Sequence, residues 1–588
     1  METVQIWGNL RTNLAYISRV SKIIKIRNGI NCNNDNTAKQ KKNKPTKQKK
    51  TNQQTEQYKT SKRRKTMKNI TIRKETPSDY YNTEHMVMRA FWNIHDPGCN
   101  EHLMVHKLRE AKEYIPELSR VAEMDGKIVG CIMVSGAKVV DGDKEHEILT
   151  FGPLAVEPTC FSMGIGGMLI KDMTEAAKEA GYSGIVICGE PDYYPKHGFK
   201  TADNFGIEHH QYGNFDAFLA LPLNDEFANI HGKYYEAPVF EQCEDEKEIA
   251  EFTKNFPYYK PLKLSCQWLH KERLGRISEI QKNTYIIKFW EKEIPAKLKG
   301  RFYEEDAEKL PVVGDYVTFD YNPIGDSTIL TVCERKSLLQ RPDQSKTMTM
   351  QYMVANADYV FIVTALNEDY SYNRIGRYVS VANNGGVKPV VILTKTDMCF
   401  DAPRYIEEAK TISDNVEVHA ISALYDIGME ELDEYMKPGV TICMLGSSGA
   451  GKSTLLNAIS GKEMMKTGEI RAYDGTGRHT TTYRKLMELE NGVTIIDTPG
   501  MREIGIARSE EGVGDTFADI KELEGMCKFS DCHHETEPGC AIKNAIENGE
   551  LTQERYDLYV SLSMENVKNY AKKKEIAKWN KARKKLKL

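Results

Sequence analysis

A glycine-rich segment at residues 446–453 carries the clearest chemical signal in this sequence. It reads Gly-Ser-Ser-Gly-Ala-Gly-Lys-Ser, follows the apolar run 441–445 and precedes a helical pattern over 454–460. Glycines let backbone N–H groups converge on phosphate oxygens at a helix amino terminus, while the lysine neutralises the β- and γ-phosphates and the serine binds Mg²⁺. The spacing predicts a phosphate-binding loop formed by Gly446, Ser447, Ser448, Gly449, Ala450, Gly451, Lys452, Ser453 and Thr454.

Asp497-Thr498-Pro499-Gly500 follows the apolar run 493–496 and is a second candidate element for binding nucleotide phosphates. A carboxylate at the end of such a strand can hold the Mg²⁺ shell, and a glycine N–H beyond it can contact a γ-phosphate. We therefore expect Asp497 to share a magnesium ion with Ser453, and Gly500 to bind the terminal phosphate.

The choice of base is predicted by Thr394-Lys395-Thr396-Asp397, which directly follows the apolar run 389–393. The two oxygens of Asp397 can accept from guanine N1–H and from its 2-amino group, whereas adenine offers no such pair of donors. The element resembles the N/T-K-x-D sequence of GTPases, with threonine where asparagine is usual. The residues predicted to read the base of GTP are Thr394, Lys395, Asp397, Ser422 and Ala423.

The order of these elements is unusual. The base-reading element precedes the phosphate-binding loop, whereas in ordinary GTPases it follows the Asp-Thr-Pro-Gly element. Because the termini of a domain often lie close together, one sheet can be closed in either order, and the sequence predicts a circularly permuted GTPase domain. The segment after Gly500 then leads directly into a cysteine- and histidine-rich cluster.

That cluster contains three cysteines and two histidines within 14 residues, and its predicted ligand set is Cys527, Cys532, His534 and Cys540. Three thiolates and one imidazole form a closed tetrahedral set that is typical of structural zinc. We expect the metal to fold a small domain that cannot build its own core.

The elements that must position these residues follow from the apolar pattern. Short β-like runs between 275 and 334 predict a small β-barrel, and continuous apolar strands within 352–505 predict a parallel sheet covered on both faces. From 67 to 238 strands and helices alternate, with a hairpin around Met124-Asp125-Gly126. The predicted fold class is multidomain α/β, with a small β-barrel, a permuted P-loop domain and a small helical zinc domain.

Composition excludes several classes of protein. The chain has 588 residues, of which 40% are hydrophobic, so wholesale disorder is excluded, and it has no apolar run of about 18 residues that could form a transmembrane helix. Thirteen scattered cysteines fit a reducing cytosol better than a secreted disulfide scaffold. We expect a cytoplasmic monomer that does not bind membranes.

The first 66 residues differ from the rest, since they hold 17 lysines and arginines but three acidic residues, although the whole chain has a net charge of -3. Two interpretations stay open for them: a dispensable extension before Met67, which we favour, or an organellar targeting segment. The predicted division is a disordered basic extension at 1–66, an α+β domain at 67–238, a linker at 239–269, the β-barrel at 270–340, the GTPase domain at 341–512, and a zinc-binding domain with a basic C-terminal helix at 513–588.

Over about residues 270–575 the sequence resembles the ribosome small-subunit-dependent GTPase A family, which is circularly permuted. Besides the elements above, the resemblance rests on Val313–Val317, Arg341-Pro342, Asn356–Asp358 and Gly477–Thr482. It implies an OB-fold, a zinc domain, binding to the small ribosomal subunit and its rRNA during late maturation, and GTP hydrolysis stimulated by that contact. It also selects His534 over His533 as the metal ligand.

The catalytic group is implied by the same resemblance. Met501 stands where many GTPases place a glutamine that orients water, and a thioether cannot do so, which predicts slow hydrolysis until another group is positioned. The resemblance nominates His479 as that group, although contact with RNA or solvent stays open for it. Thr480 or Thr481 is expected to close on Mg²⁺ and the γ-phosphate.

Residues 67–235 resemble the GNAT superfamily of N-acetyltransferases through the segments 152–158, 163–170 and 193–199. The resemblance implies acetyl-CoA as cosubstrate and Tyr194 as the acid that protonates the leaving thiolate. It implies backbone binding of acetyl-CoA by Leu154, Val156, Met163, Gly164, Gly166 and Gly167. Phe161 departs from the pattern, because a glutamine or arginine usually begins this glycine loop. The sequence does not identify the acetyl acceptor.

Three functions follow from these patterns. The leading one is a GTPase that acts in maturation of the small ribosomal subunit and carries an acetyltransferase domain. A second is an N-acetyltransferase that the GTPase module delivers to a ribosomal acceptor. A third is a GTP-gated RNA-binding scaffold with little hydrolysis.

Overall fold

The described strands of the computed structural model form three sheets, built largely from the apolar runs of the sequence. The structure describes residues 70–94, 97–262, 273–281, 284–322, 325–342, 350–414, 416–462, 484–498 and 516–564. The predicted extension 1–66, the basic C-terminal helix, His479, Thr480, Thr481 and Gly500 lie outside these residues. The chain divides into two units, Met1–Phe256 and Pro257–Leu588. Within the described ranges, no helix has the length and apolarity needed to cross a bilayer.

The first unit is built on a sheet in the order β1-β2-β3-β4-β5-β8-β6, with β9 beside β3 and β7 beside β9. Its strands are β1 Ile70–Lys74, β2 Arg120–Met124, β3 Lys127–Asp141, β4 Lys144–Val156, β5 Gly184–Cys188, β6 Lys200–Thr201, β7 Ile207–His209, β8 Phe218–Pro222 and β9 Gly232–Tyr235. Its helices are α1 Tyr80–Phe91, α2 Glu101–Leu108, α3 Ile165–Glu179 and α4 Glu246–Thr253.

The predicted hairpin joins β2 to β3. Met124 pairs with Lys127, and the two residues between them, Asp125 and Gly126, have positive φ angles of 52° and 76°. This backbone geometry matches the right-handed twist of the flanking strands, which explains the choice of an Asp-Gly turn.

Strands β4 and β5 diverge and leave a wedge between them. They run parallel but pair at one position, Leu149 with Ile185. Beyond that point β4 pairs with β3 alone among the described residues, and the register shifts where Gly152 and Pro153 lie opposite a single residue of β3. Helix α3 packs Leu169 and Met173 against one face of this region.

The second unit begins with a closed five-stranded barrel, as the sequence predicts. Its strands are β10 Arg273–Gln281, β11 Thr284–Phe289, β12 Lys292–Leu298, β13 Tyr316–Asp320 and β14 Ser327–Val332. Strand β10 pairs with both β11 and β13, which closes the barrel, and β12 runs parallel to β14. This is the strand order of an OB-fold, and alternate apolar residues such as Ile277, Ile287 and Ile329 fill its interior.

The larger sheet of this unit runs β21-β22-β20-β17-β18-β19, and all of its strands are parallel except β21. The strands are β17 Tyr359–Ala365, β18 Lys388–Thr394, β19 Glu417–Ala420, β20 Thr441–Leu445, β21 Lys485–Glu488 and β22 Thr494–Asp497, preceded by a hairpin of β15 Leu338–Pro342 and β16 Met350–Ala355. The helices are α5 Tyr372–Asn384, α6 Ala402–Lys410 and α7 Lys452–Ser460. Strand β18, which leads into the base-reading element, precedes β20, which leads into the phosphate-binding loop. Both strands pair with β17 in one sheet. The elements therefore follow one another in the circularly permuted order.

A small helical region ends the described chain, with α8 Ala518–Gly525, α9 Ala541–Glu547 and a helix over residues 553–564. Leu558 of the last helix packs so closely on α5 that a Cβ at Gly376 would lie 2.4 Å from its Cδ2 atom. Ile520, Ile542 and Leu562 join the same apolar cluster. The region is therefore supported by the GTPase sheet as well as by its own residues.

Candidate functional sites

The phosphate-binding loop leaves β20 through a turn that requires glycine. Gly446 has a φ of 148°, and a Cβ there would lie 2.2 Å from the carbonyl oxygen of Val363. Gly451, with a φ of 94°, caps α7 and lies against Thr394. A larger residue at either position would clash or strain the backbone, so the loop curves tightly around the amino end of α7.

Lys452 lies in the curve of this loop. Its ammonium donates to the carbonyl oxygens of Gly446 and Ser447 at 2.8 and 2.5 Å. Loop N–H groups and a lysine at a helix amino terminus together favour a polyanion. The arrangement can bind the phosphates of a nucleotide.

The base-reading element is joined to the phosphate-binding loop by a hydrogen bond. The Thr394 hydroxyl donates to the carbonyl oxygen of Ala450 at 2.7 Å and is buried. Asp397 accepts from the Ser422 hydroxyl at 2.6 Å, which fixes its carboxylate, and Ala423 follows in the same loop. Lys395 adopts the left-handed conformation with a φ of 62°, which turns the chain from β18 into this element.

Asp497 ends β22 next to β20, where it pairs with Met444. Thr498 is buried and donates from its hydroxyl to the carbonyl oxygen of Met444 at 2.6 Å, which ties the start of the Asp-Thr-Pro-Gly element to the phosphate-binding strand. Asp497 and Ser453 therefore both lie at the carboxyl edge of adjacent strands. An oxygen pair in that position suits Mg²⁺.

One contact of the phosphate-binding loop, between Ser447 and Asp369, was not predicted from the sequence. The Ser447 hydroxyl donates to Asp369, which follows β17, and Asp369 also forms an ion pair with Arg374 of α5 at 3.0 Å. No sequence signal pairs Asp369 with Ser447, because the two are far apart in the chain and meet only when β17 and β20 are neighbours.

The four residues of the cysteine and histidine cluster converge. Their ligand atoms lie within 4.8 Å of one another, with His534 Nδ1 3.6 Å from Cys527 Sγ and 3.4 Å from Cys540 Sγ. These separations are close to those between ligands around a tetrahedral zinc ion with Zn–S bonds of about 2.3 Å. The donor set therefore fits a metal ion of that type.

The surroundings of the cluster also suit a cation. The pKa of the Cys532 thiol is raised to about 11 by desolvation and then by the neighbouring thiols Cys540 and Cys527, so the thiolates need a compensating positive charge. His534 Nε2 lies 3.9 Å from a carboxylate oxygen of Glu524, which itself accepts from the Tyr559 hydroxyl at 3.0 Å. Carboxylates behind a ligating histidine commonly orient its ring.

In the first unit, the glycine loop opens α3. Gly164, with a φ of 84°, caps the helix, and the residue before it is Met163. A Cβ at Gly166 would lie 2.6 Å from the Tyr193 hydroxyl oxygen, and one at Gly167 would lie 3.0 Å from the ring of His197. The two glycines therefore leave room for aromatic side chains over the amino end of α3, where a diphosphate would bind.

Backbone donors of β4 face the wedge. The Glu157 N–H donates to Val129 of β3 at 2.9 Å. Because amide directions alternate along a strand, the N–H groups of Leu154 and Val156 point to the opposite side, towards the gap beside β5. An extended amide-containing arm can pair with them.

Two tyrosines lie beside this gap. Tyr194 packs against Phe151 and Phe199 with ring centroids 5.9 and 5.6 Å away. The Tyr193 hydroxyl has no hydrogen-bond partner among the residues that the structure describes, and burial raises its pKa. The sequence pattern indicates a role for Tyr194 but none for Tyr193. The position of the Tyr193 hydroxyl over Gly166 follows only from the fold.

Comparisons with protein families match three regions of the chain. A family described as RsgA GTPase matches residues 332–507, and one described as 50S ribosome-binding GTPase matches residues 441–581. A family described as acetyltransferase (GNAT) domain matches residues 116–201.

Individual relatives extend the GTPase match. A protein named small ribosomal subunit biogenesis GTPase RsgA 2, from Listeria monocytogenes, is 40% identical over 292 residues, covering 50% of this chain and 83% of the relative. An RsgA from Methanosarcina acetivorans is 35% identical over 349 residues, covering 59% of this chain and 89% of the relative.

Solved structures match parts of the chain. YjeQ from Thermotoga maritima is 31% identical, with a TM-score of 0.39, and covers 50% of this chain and 99% of its own. The GNAT family N-acetyltransferase YhbS from Escherichia coli, solved with CoA, is 26% identical, with a TM-score of 0.27, and covers 29% of this chain and 92% of its own.

Proposed function

This chain belongs to the RsgA family of small ribosomal subunit biogenesis GTPases, and on that premise we propose that it binds the small ribosomal subunit and hydrolyses GTP during that subunit's late maturation. The observation that carries the proposal furthest is the hydrogen bond from Thr394 to Ala450, because it joins a guanine-reading element to a phosphate-binding loop. The work is expected in the cytoplasm, by a monomer that contacts rRNA.

In the proposed site Asp397, held by Ser422, accepts the two guanine donors. Lys452 and the N–H groups of the loop bind the β- and γ-phosphates. Ser453 and Asp497 would hold Mg²⁺, which neutralises phosphate charge when bound. Gly500 supplies a further N–H to the terminal phosphate.

Hydrolysis in this scheme depends on a group outside the phosphate-binding loop. Met501 cannot orient water, so turnover by the free protein is slow, and His479 is the residue proposed to orient water when the ribosome is bound. Thr480 or Thr481 closes on Mg²⁺ at the same time. If His479 has no such role, the chain acts as a nucleotide-gated scaffold instead.

Cys527, Cys532, His534 and Cys540 are proposed to bind a structural zinc ion. The proposal is supported by the convergence of their ligand atoms within 4.8 Å. When bound, zinc compensates the thiolate charge and joins α8 to α9, so that the C-terminal region presents a fixed surface.

A second proposed activity is acetyl transfer from acetyl-CoA. It is supported by the wedge between β4 and β5, by the free side of Leu154 and Val156, and by the glycine loop of α3. In this scheme the N–H groups from Met163 to Gly167 bind the diphosphate, and Tyr194 returns a proton to the departing thiolate.

Binding to purified ribosomal subunits tests the leading proposal. We expect the protein with a non-hydrolysable GTP analogue to co-sediment with small subunits more than tenfold better than with large subunits, and GDP to weaken that binding. Equal binding to both subunits would contradict the proposal.

Labelled acetyl-CoA tests the second activity, with Tyr194→Phe expected to slow transfer while GTP hydrolysis stays unchanged.

A further inference from the structure

A cavity of about 400 Å³ lies at the amino edge of the GTPase sheet, where strands β17, β18 and β20 begin. The base-reading element and the phosphate-binding loop follow the opposite, carboxyl ends of β18 and β20. The cavity is therefore separate from the proposed GTP site, and its volume is within the range of about 300–1,000 Å³ that is usual for small-molecule sites. The polar and aromatic residues that line it are Tyr258, Lys260, Lys336, Asp358, Tyr359 and Lys388.

One wall of the cavity comes from residues 257–262, which belong to the predicted linker. The Tyr258 ring lies over two glycines that precede β20 and β22. A Cβ at Gly439 would lie 2.6 Å from the Tyr258 hydroxyl oxygen, and a Cβ at Gly492 would lie 3.5 Å from its Cδ1 atom. Lys260 donates to the carbonyl oxygen of Gly439 at 2.7 Å, which fixes this segment on the sheet edge. Because Tyr258 is 48% exposed, the face of its ring that points away from the glycines is open for stacking.

Two ammonium groups share one carboxylate in this cavity. Asp358 forms ion pairs with Lys336 at 2.5 Å and with Lys260 at 3.5 Å, and it also accepts from the N–H of Thr441 at 2.8 Å. Burial lowers the pKa of Lys260, and the charges of Arg276 and Lys336 act in the same direction although Asp358 opposes them. A bound anion would therefore be stabilised at this place, because it would reduce the repulsion between the cations.

Lys388 brings a third ammonium group to the cavity from the start of β18. It forms an ion pair with Glu417 at the start of β19, and its Nζ atom lies 5.9 Å from the centroid of the Tyr359 ring. The side chains of Lys336 and Lys388 are 68% and 47% exposed, so both can turn towards a ligand. A phosphate group carries up to two negative charges and three acceptor oxygens, which allows it to contact several ammonium groups at once.

We propose that this cavity binds a nucleoside 5′-phosphate unit, with its base stacked on Tyr258 and its phosphate held by Lys260, Lys336 and Lys388. An aromatic ring beside several lysines binds nucleotide units of any base, because every base has a π-face. A free nucleotide and a nucleotide of single-stranded RNA both present this chemistry, and the experiment distinguishes them.

The experiment uses the full chain with its GTP site filled by a non-hydrolysable GTP analogue. The probes are uridine 5′-monophosphate, inorganic phosphate and fluorescein-labelled hexauridylate. Uridine is chosen because the proposed GTP site reads guanine and acetyl-CoA carries adenine. We expect calorimetry to show that uridine monophosphate binds about tenfold tighter than phosphate, since stacking of one base raises affinity by about 5- to 150-fold.

Variants of the two kinds of contact test the geometry. Tyr258→Leu removes the ring and should weaken uridine monophosphate binding about tenfold, whereas Tyr258→Phe keeps the ring and should bind within about threefold of wild type. Lys336→Ala should weaken the same binding about fivefold, because it removes a charge-assisted contact. Lys410→Ala is the matched control, since Lys410 is also exposed and pairs with one carboxylate, that of Glu407 at 2.9 Å. Unchanged binding of the GTP analogue shows that each variant is folded.

The RNA probe identifies the source of the ligand. For single-stranded RNA, fluorescence anisotropy should show hexauridylate binding at least about tenfold tighter than uridine monophosphate, and Lys336→Ala should reduce the salt dependence of log K by about 0.7. For a free nucleotide, the two probes bind equally and the variants weaken both to the same extent. Uridine monophosphate that binds no tighter than phosphate, or equally well to wild type, Tyr258→Leu and Lys336→Ala, overturns the inference.

Discussion

Thr394 replaces the asparagine that is usual in its element, and its hydroxyl makes the bond that links that element to Ala450. Thr394→Val removes the donor and leaves a buried carbonyl unsatisfied, which costs about 1–3 kcal/mol. We expect GTP affinity to fall about 5- to 100-fold, measured with a fluorescent GTP analogue. Thr394→Asn keeps a donor and should bind within threefold of wild type, whereas unchanged affinity in Thr394→Val would remove this bond from the account.

Tyr193 places a side-chain hydrogen-bond donor beside the glycine loop of α3. Phe161 cannot donate a hydrogen bond to a diphosphate, whereas the Tyr193 hydroxyl lies over Gly166 without a partner among the described residues. We expect Tyr193→Phe to weaken coenzyme A binding about 10- to 100-fold, because a hydrogen bond to a charged group contributes about 1.5–3 kcal/mol. Titration calorimetry measures this, with desulfo-coenzyme A as a second ligand. An affinity equal to that of wild type would show that backbone donors suffice.

At the residue scale, the sequence predicted those sites whose residues lie close together in the chain. The phosphate-binding loop and the Cys527-to-Cys540 cluster each lie within one short segment, so the chain itself encodes their geometry. Asp369 and Tyr193 could not be found in this way, because the groups that they lie against, Ser447 and Gly166, belong to other parts of the fold. Their positions follow from the order of strands in the sheets, which no local pattern specifies.

At the scale of elements, α2 depends on a histidine that must stay neutral. His102 is buried between Thr253 and Phe252, and burial lowers its pKa to about 4 from an ordinary value of 6.5. Below pH 6.5 the unfolded state binds a proton that the folded state resists, so stability is lost as pH falls towards 4. The loss attributable to His102 is about 3 kcal/mol.

Calorimetric unfolding of the full chain between pH 7 and pH 4 measures this loss for the transition of the first unit. His209, whose pKa is also lowered to about 4, adds to the loss of stability at low pH. His102→Asn should therefore remove only part of the pH dependence of the unfolding free energy. The same slope in both proteins would contradict the assignment of the loss to His102.

Elements with continuous apolar runs were predicted correctly, since strands β17, β18 and β20 are buried on both faces. The sequence predicts a linker over 239–269, but the part that ends at Phe256 belongs to the first unit and contains the short helix α4, whose many acidic residues hide it in the sequence. The pairing of β15 with β16 was also missed, because its strands mix polar and apolar residues. Tertiary contacts with α2 and α5 stabilise these pieces, and such contacts are not visible in local composition.

At the scale of the whole molecule, we expect the zinc region to dock on the ribosome without taking part in nucleotide binding. Removing zinc, or the variant Cys540→Ala, should unfold α8 and α9 and lower small-subunit binding at least tenfold. GTP affinity should change less than threefold, because the described base and phosphate contacts come from other elements. Co-sedimentation and nucleotide binding measured on the same samples test this, with Cys333→Ala, a buried cysteine of the barrel unit, as control. Loss of both properties would contradict the separation.

The central claim is that ribosome contact switches on GTP hydrolysis in this chain. The direct measurement is the GTPase rate of the purified full-length protein alone, with small subunits and with large subunits, in matched salt. We predict strong stimulation by small subunits alone, and loss of that stimulation in His479→Ala with GTP binding retained. Tight GTP binding and bound zinc without any stimulation by small subunits would contradict the account.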